Sequence, residues 1–161
     1  MTSQTFRANV GIAVARADGH VLALERIDQP DRWQMPQGGL NVGEEPVEAS
    51  LRELREETGL RPEHVELVAE QPAWPAYDLP PARRRDRGAR GQVHKWYLYR
   101  FLGTDEALDL TRPIGKRQEI QDFRVVVLAD LADEMWEVKR PIYRALAAEW
   151  TDRLAEWAEL D

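Results

Sequence analysis

The stretch "MPQGGLNVGEEPVEASLRELREETGL", Met35 to Leu60, decides how the rest of the chain is read. Its second half crowds three glutamates (Glu53, Glu56, Glu57) and two arginines (Arg52, Arg55) into six residues. Pro46 suits the first helical position, Glu44 and Glu45 lie at the positive end of the helix dipole, and Gly59 is the usual left-handed cap. A helix from Glu45-Pro46 to Gly59 follows. At about 100° per residue, Val47, Leu51, Leu54 and Thr58 form one stripe, with the three glutamates nearly opposite in an arc of roughly 100°. Neighbouring like charges cost a bare helix a few tenths of a kcal/mol each. Arg52 and Arg55 could offset some of that, so one reading is an ordinary solvated face.

The flanking sequence points elsewhere. "PQGGLNVGEE" places glycines at 38, 39 and 43, and such a loop lets backbone carbonyls and amides approach a ligand closely. Three hard carboxylates beside free carbonyls suit Mg²⁺ or Mn²⁺, whereas zinc would favour histidine or cysteine. Hydrated Mg²⁺ held by a few carboxylates is the usual partner of phosphate chemistry. The crowding reads as a metal site.

Outside this segment the chain is ordinary. Its 161 residues suit one domain, read here as 1–161, and 43% hydrophobic with 32% charged residues is a globular composition. There is no cysteine, so neither disulfides nor a thiolate metal site can form. The N-terminal sequence has no basic segment followed by an apolar run, and no apolar run approaches a membrane span, so a soluble cytoplasmic protein is expected. A net charge of −7 argues against broad wrapping of nucleic acid but leaves room for a small basic pocket. Positive charge gathers in "ARRRDRGARGQVHK" (Arg83, Arg84, Arg85, Arg87, Arg90, Lys95), either a solvated loop or an anion-steering one.

"NVGIAVARADGHVLALERI" reads as a hairpin, and "HVELVAEQPAW", "QVHKWYLYRFLG" and "DFRVVVLADL" as strands. The proline-rich "QPAWPAYDLPPARRRDRGARG" reads as an extended loop. The tail "KRPIYRALAAEWTDRLAEWAEL" is a helix with Pro141 in its first turn and Tyr143, Leu146, Trp150, Leu154 and Trp157 on one face. The fold class is α/β or α+β, in layers.

Gly38, Glu44, Arg52-Glu53-Leu54, Glu56-Glu57 and Gly59-Leu60 fall at the spacing of the Nudix box, and residues 38–60 resemble it without a mismatch. "RANVGIAVARADGHVL", "DRWQMPQGG", "HKWYLYRF", "EIQDFRVV" and "VKRPIYRAL" resemble the bacterial RNA pyrophosphohydrolase and diadenosine polyphosphate hydrolase branch. The resemblance implies a mixed sheet sandwiched between helices and Mg²⁺-dependent hydrolysis of a phosphoanhydride bond, with Mn²⁺ a possible substitute. It implies metal ligands at Glu53, Glu56 and Glu57, a further one at the Gly38 carbonyl, and a distal carboxylate at Glu119. Glu53, Glu57, Glu119 and Arg52 are the expected catalytic group, Arg52 and Glu44 acting by orienting the box. Glu57, Glu53 and Glu119 stay open as the general base. Arg7, Trp33, Gln34, Gln37, Lys95, Lys139 and Tyr143 match positions where the family lines its substrate pocket.

Two positions depart from the branch. Val138 stands where an aromatic residue often precedes the matching lysine, and Ala8 replaces a proline after the first arginine. Base stacking on an aromatic ring contributes about 1–3 kcal/mol, so Val138 weakens the case for RNA unless Trp136 substitutes. Expected substrates are 5′-triphosphorylated RNA or, alternatively, diadenosine polyphosphates or another nucleoside diphosphate derivative. A third reading is a non-catalytic nucleotide sensor, against which the repelling carboxylates speak.

Overall fold

The computed structural model describes residues 5–84, 88–111 and 117–160. β1 (Phe6–Ala15) and β2 (Val21–Arg26) form the expected hairpin around a turn with Gly19. Two short strands follow inside the opening stretch, β3 (Trp33–Gln34) and β4 (Gln37–Gly39), and then α1 (Pro46–Thr58). β5 (Val65–Glu70), β6 (Ala76–Asp78), β7 (Gly91–Phe101) and β8 (Ile120–Val126) complete the sheet, and α2 (Leu128–Glu134) and α3 (Arg140–Glu159) end the chain. β3, β4, β6 and α2 are not evident from sequence pattern. β6 lies within the proline-rich segment, paired to β7 through Ala76↔Val93. In "VVVLADL" the strand stops at Val126, because Leu128, Leu131 and Ala132 bury at helical spacing rather than in alternation.

The eight strands among the described residues make one mixed sheet, with β3-β2-β1-β7-β5 in order, β4 on β1, β6 on β7 and β8 on β2. The centre is the parallel pair β1–β7, in register from Phe6↔Gly91 to Ala15↔Arg100. Alternation along both strands builds two cores. Val10, Ile12, Val14, Tyr97 and Tyr99 face α1 with Ala49 and Leu54. Ala13, Ala15, Trp96 and Leu98 face α2 and α3, where Tyr143, Leu146, Trp150 and Leu154 close the layer. Helices thus cover both faces of the sheet. Among the described residues no helix is long and apolar enough to cross a membrane.

α1 begins with Pro46 after the extended Glu45 and ends at Gly59, whose φ of 76° and N–H bond to the Arg55 carbonyl make the left-handed cap. The buried arc of α1 is displaced from the apolar stripe. Ala49, Ser50, Glu53, Leu54, Glu57 and Thr58 are buried, while Val47 and Leu51 are only partly so. Ser50 Oγ, 2.6 Å from Tyr99 Oη, ties the helix to β7. This rotation turns two of the three box glutamates inward, toward β4.

Candidate active site

The box loop and α1 are locked together by one side chain. Arg52 donates from Nε and Nη2 to both oxygens of Glu44 at 2.7 and 2.9 Å, and from Nη1 to Glu53 at 2.7 Å. Nη1 also lies 3.4 Å from Glu56, and Nη2 donates to the Gly39 carbonyl at 2.7 Å. Glu44 in turn accepts from the Asn41 N–H at 3.0 Å, which closes the loop. Pairing with Arg52 holds Glu44 below the usual carboxylate range, despite an opposing effect of burial, and Glu44 raises the guanidinium still further. The arginine orients the carboxylates and one box carbonyl.

Glu57 sits deeper, with 8% of its surface exposed. Its Oε2 accepts from the Gln37 N–H at 3.1 Å. Burial, reinforced by Glu53 and Glu119 and opposed by that hydrogen bond, pushes the Glu57 carboxyl up to about 8. Glu53, Glu56, Glu57 and Glu119 line one small cleft with Arg117, Leu110 and Ile120. Glu119 is the exposed member, 4.0 Å from the Arg26 guanidinium, and its backbone carbonyl accepts from the Ile27 N–H. The geometry therefore brings the four predicted acidic residues to one place.

That donor set fits a hard divalent cation in its chemistry: four carboxylates, buried negative charge in excess, and backbone oxygen nearby. No three acidic or imidazole side chains among the described residues yet converge as a ready-made ligand cluster. Arg52 holds Glu53 and Glu56 from one side. Asn9, with its amide oriented by its neighbours, donates to the Gly38 carbonyl at 3.3 Å.

Gly38 is required for a steric reason. A Cβ there would lie 2.0 Å from the Glu53 carboxyl carbon. Gly38→Ala is expected to push the Glu53 carboxylate off Arg52 and, because a displacement near 1 Å costs about 100-fold in rate, to lower kcat by that order. Overpacking costs about 1–3 kcal/mol, so the variant should remain folded by thermal unfolding while losing turnover.

A second cleft of about 570 Å³ is joined to the carboxylates through Gln37, bonded to Glu57, and Arg26, 4.0 Å from Glu119. Trp33, Gln34, Gln37 and Lys139 line it, as do Arg26, Arg32, Tyr77, Arg83, Trp136 and Arg140. Five cationic side chains face three acidic ones (Asp31, Glu134, Glu137) in a protein of net charge −7. Lys139 donates to Gln34 Oε1 at 3.3 Å and lies 5.6 Å from the Tyr77 ring centroid. Burial and then Arg26 lower its ammonium to about 8, with Glu57 opposing. Trp33 is capped by Arg124 at 4.5 Å and Trp136 by Arg83 at 5.4 Å. Trp136 faces the cleft, whereas Val138 packs against the α2–α3 core.

Three expected pocket residues lie elsewhere. Lys95 points to the α1 side of the sheet, because His94 takes the opposite face in the alternation of β7; its Nζ donates to the Gln71 carbonyl at 2.6 Å. Tyr143 is buried beneath the cleft, its hydroxyl accepting from the Met35 N–H at 3.0 Å. Arg7 is exposed at the start of β1, its guanidinium packed on Gly39. The arginine run divides: Arg83 joins the cleft, Arg84 donates to the Leu79 carbonyl and Arg90 pairs with Asp78, while Arg85 and Arg87 lie outside the described residues. Arg26, Arg32, Arg140 and Tyr77 carried no local signal. Their only cue was that strand ends and helix starts flank the box once the sheet is assembled.

The sequence profile of the NUDIX domain matches residues 5–146. An RNA pyrophosphohydrolase of Cereibacter sphaeroides is 42% identical over 154 residues, covering 93% of each chain. An RNA pyrophosphohydrolase of Xanthomonas oryzae is 52% identical over 108 residues, covering 65% of this chain and 52% of the relative. Among solved structures, the E. coli dihydroneopterin triphosphate pyrophosphohydrolase superposes with a TM-score of 0.67 at 17% identity, covering 89% of this chain and 97% of the other.

Proposed function

The chain belongs to the Nudix family, and from that premise we propose that it is a cytoplasmic, Mg²⁺-dependent hydrolase removing pyrophosphate from the 5′-triphosphate end of RNA. The observation that carries the reading is the position of Gln37. Its backbone N–H holds the buried Glu57, and its side chain lines the cationic, aromatic cleft. A polyphosphate bound between Lys139 and Arg26 therefore ends beside the carboxylates. RNA as the substrate is supported by the name borne by the relatives at 42% and 52% identity.

Glu53, Glu56, Glu57 and Glu119, with the Gly38 carbonyl, would hold the cation. When bound, Mg²⁺ (or Mn²⁺) supplies neutralisation of the polyphosphate and a more acidic water. Glu57 is the general base we favour among the three candidates. Glu53 is tied to Arg52 at 2.7 Å and Glu119 is exposed, whereas Glu57 is buried and oriented by the Gln37 N–H. With Oε2 on the Gln37 N–H, the carboxylate is held in one orientation, from which it would take the proton of the attacking water. Lys139 and Arg26 would carry the charge that develops on the leaving phosphate.

The two indoles of the cleft favour a second substrate. Trp33 and Trp136 both line the cleft, and two indoles suit the two bases of a diadenosine polyphosphate. The test sets 5′-triphosphorylated RNA beside diadenosine tetraphosphate, with and without chelator. Pyrophosphate release from RNA that stops on chelation is expected. Faster turnover of the dinucleotide would shift the assignment to the second substrate, and activity surviving chelation would remove the metal from the reaction.

A further inference from the structure

β7 carries a histidine that the reaction above does not use. His94 is 2% exposed and stacks between Tyr77 and Trp96, with ring centroids 5.8 and 5.7 Å away and planes tilted by 16° and 23°. Burial, with a smaller effect of the Lys139 ammonium, holds its pKa down to about 3. The ring is therefore neutral at any working pH, with one N–H and one lone pair.

Its two nitrogens have unequal surroundings. Nε2 lies 2.9 Å from Gln37 Oε1, while Nδ1 is buried with no partner among the described residues. A proton on Nδ1 would orphan a buried N–H and set the Nε2 lone pair against the lone pairs of the Gln37 oxygen. A proton on Nε2 leaves only a lone pair unmet, the less costly omission, and makes Nε2–H the donor to Gln37. The second arrangement satisfies more groups.

The consequence falls on the cleft. A carboxamide presents an acceptor or two donors depending on a half-turn of its last torsion. With its oxygen committed to His94, Gln37 has its NH₂ group left over, and that group has no protein partner among the described residues. An NH₂ donor attracts phosphate oxygen, and a carbonyl oxygen in its place would repel it.

We infer that His94 is a positioning residue whose Nε2–H pins the Gln37 carboxamide, so that only amide donors face the anionic oxygens of a nucleotide substrate in the cleft. The inference rests on the nucleotide-hydrolase reading, and two independent measurements keep their failures apart. The first is ¹⁵N NMR of the intact protein at neutral pH. A protonated Nε2 and bare Nδ1 on His94 are expected, and the reverse tautomer overturns the inference whatever the substrate.

The second is a double-mutant cycle on 5′-triphosphorylated RNA. His94→Phe keeps a ring between Tyr77 and Trp96 but removes the donor. KM should rise about tenfold while kcat stays within about twofold, and in a Gln37→Ala background the same change should add nothing. His94→Gln, whose amide can donate in place of Nε2, should recover part of the lost affinity. An unchanged KM in a folded His94→Phe protein, or a tenfold rise that persists in the Gln37→Ala background, overturns the inference. Silence of the wild-type protein on RNA would instead sink the substrate assignment, leaving the tautomer to decide the role of His94.

Discussion

Replacing Glu57 by glutamine is expected to lower kcat on the preferred substrate by about 1,000-fold, within the range that a positioned general base contributes. KM should change much less, because the Gln37 N–H still finds an acceptor in the new amide oxygen. Folding should not suffer. In the metal-free protein Glu57 is buried, and Glu53 and Glu119 both raise its proton affinity. A carboxyl raised to about 8 is largely protonated at neutral pH, so its uncharged isostere should leave Tm without metal unchanged at pH 7 and raise it above pH 8. The comparison reads kcat with excess Mg²⁺ and thermal unfolding with chelator. Full activity in the variant would remove Glu57 as base and return Glu53 and Glu119 to consideration, while a collapsed Tm would mean that the carboxylate holds the fold together.

The second large effect is expected at Arg52. Lysine keeps the charge but cannot reach both oxygens of Glu44, the Glu53 carboxylate and the Gly39 carbonyl at once. Arg52→Lys therefore loses the guanidinium bond to Glu53, whose side chain is 6% exposed. Breaking a buried pair costs about 3–5 kcal/mol. Arg52 is itself 26% exposed, so a loss of about 2–3 kcal/mol is the better figure after screening by solvent. Activity should fall about 100-fold, because both the acidic ligands and the loop they face lose their alignment. Equilibrium denaturation with urea and steady-state kinetics on the same preparation check both figures. A variant that loses stability and keeps kcat would show that Arg52 supports the fold alone.

The box helix, its proline start and its glycine end were legible from Met35–Leu60, since caps and spacing are local properties. The hairpin, β5, β7, β8 and the final helix were legible as well, because each carries its own alternation or helical stripe. What sequence could not supply were the short strands, whose two or three residues hold too little periodicity to be seen. β4 exists because β1 offers it a partner at Asn9, Val10 and Gly11. The inward turn of Glu53 and Glu57 was hidden for a related reason: the apolar stripe of α1 predicts one buried arc, and packing against β4 and Tyr99 selects another. In the candidate site, spacing and resemblance pointed to Glu53, Glu56, Glu57 and Glu119, and the fold gathers these four around one small cleft. The larger cleft was readable in part, since Trp33, Gln34, Gln37 and Lys139 line it and Lys95, Tyr143 and Arg7 do not. One step along β7 separates Lys95 from His94, and which of the two lies on the cleft side of the sheet is settled by register with β1 rather than by residue type.

That same parallel register has a bearing on how the molecule comes off the ribosome. Phe6 pairs with Gly91 and Ala15 with Arg100, so the central strand of the sheet waits for partners made roughly eighty residues later. At about 5–20 residues per second the nascent chain spends several seconds with an apolar strand lacking its main neighbour. Parallel pairings of this span are slow to close even once the chain is complete. The box helix can form early on its own signals, but the surface that receives it cannot. During synthesis, the N-terminal hairpin is thus the segment most in need of a chaperone's protection from sticking to other chains.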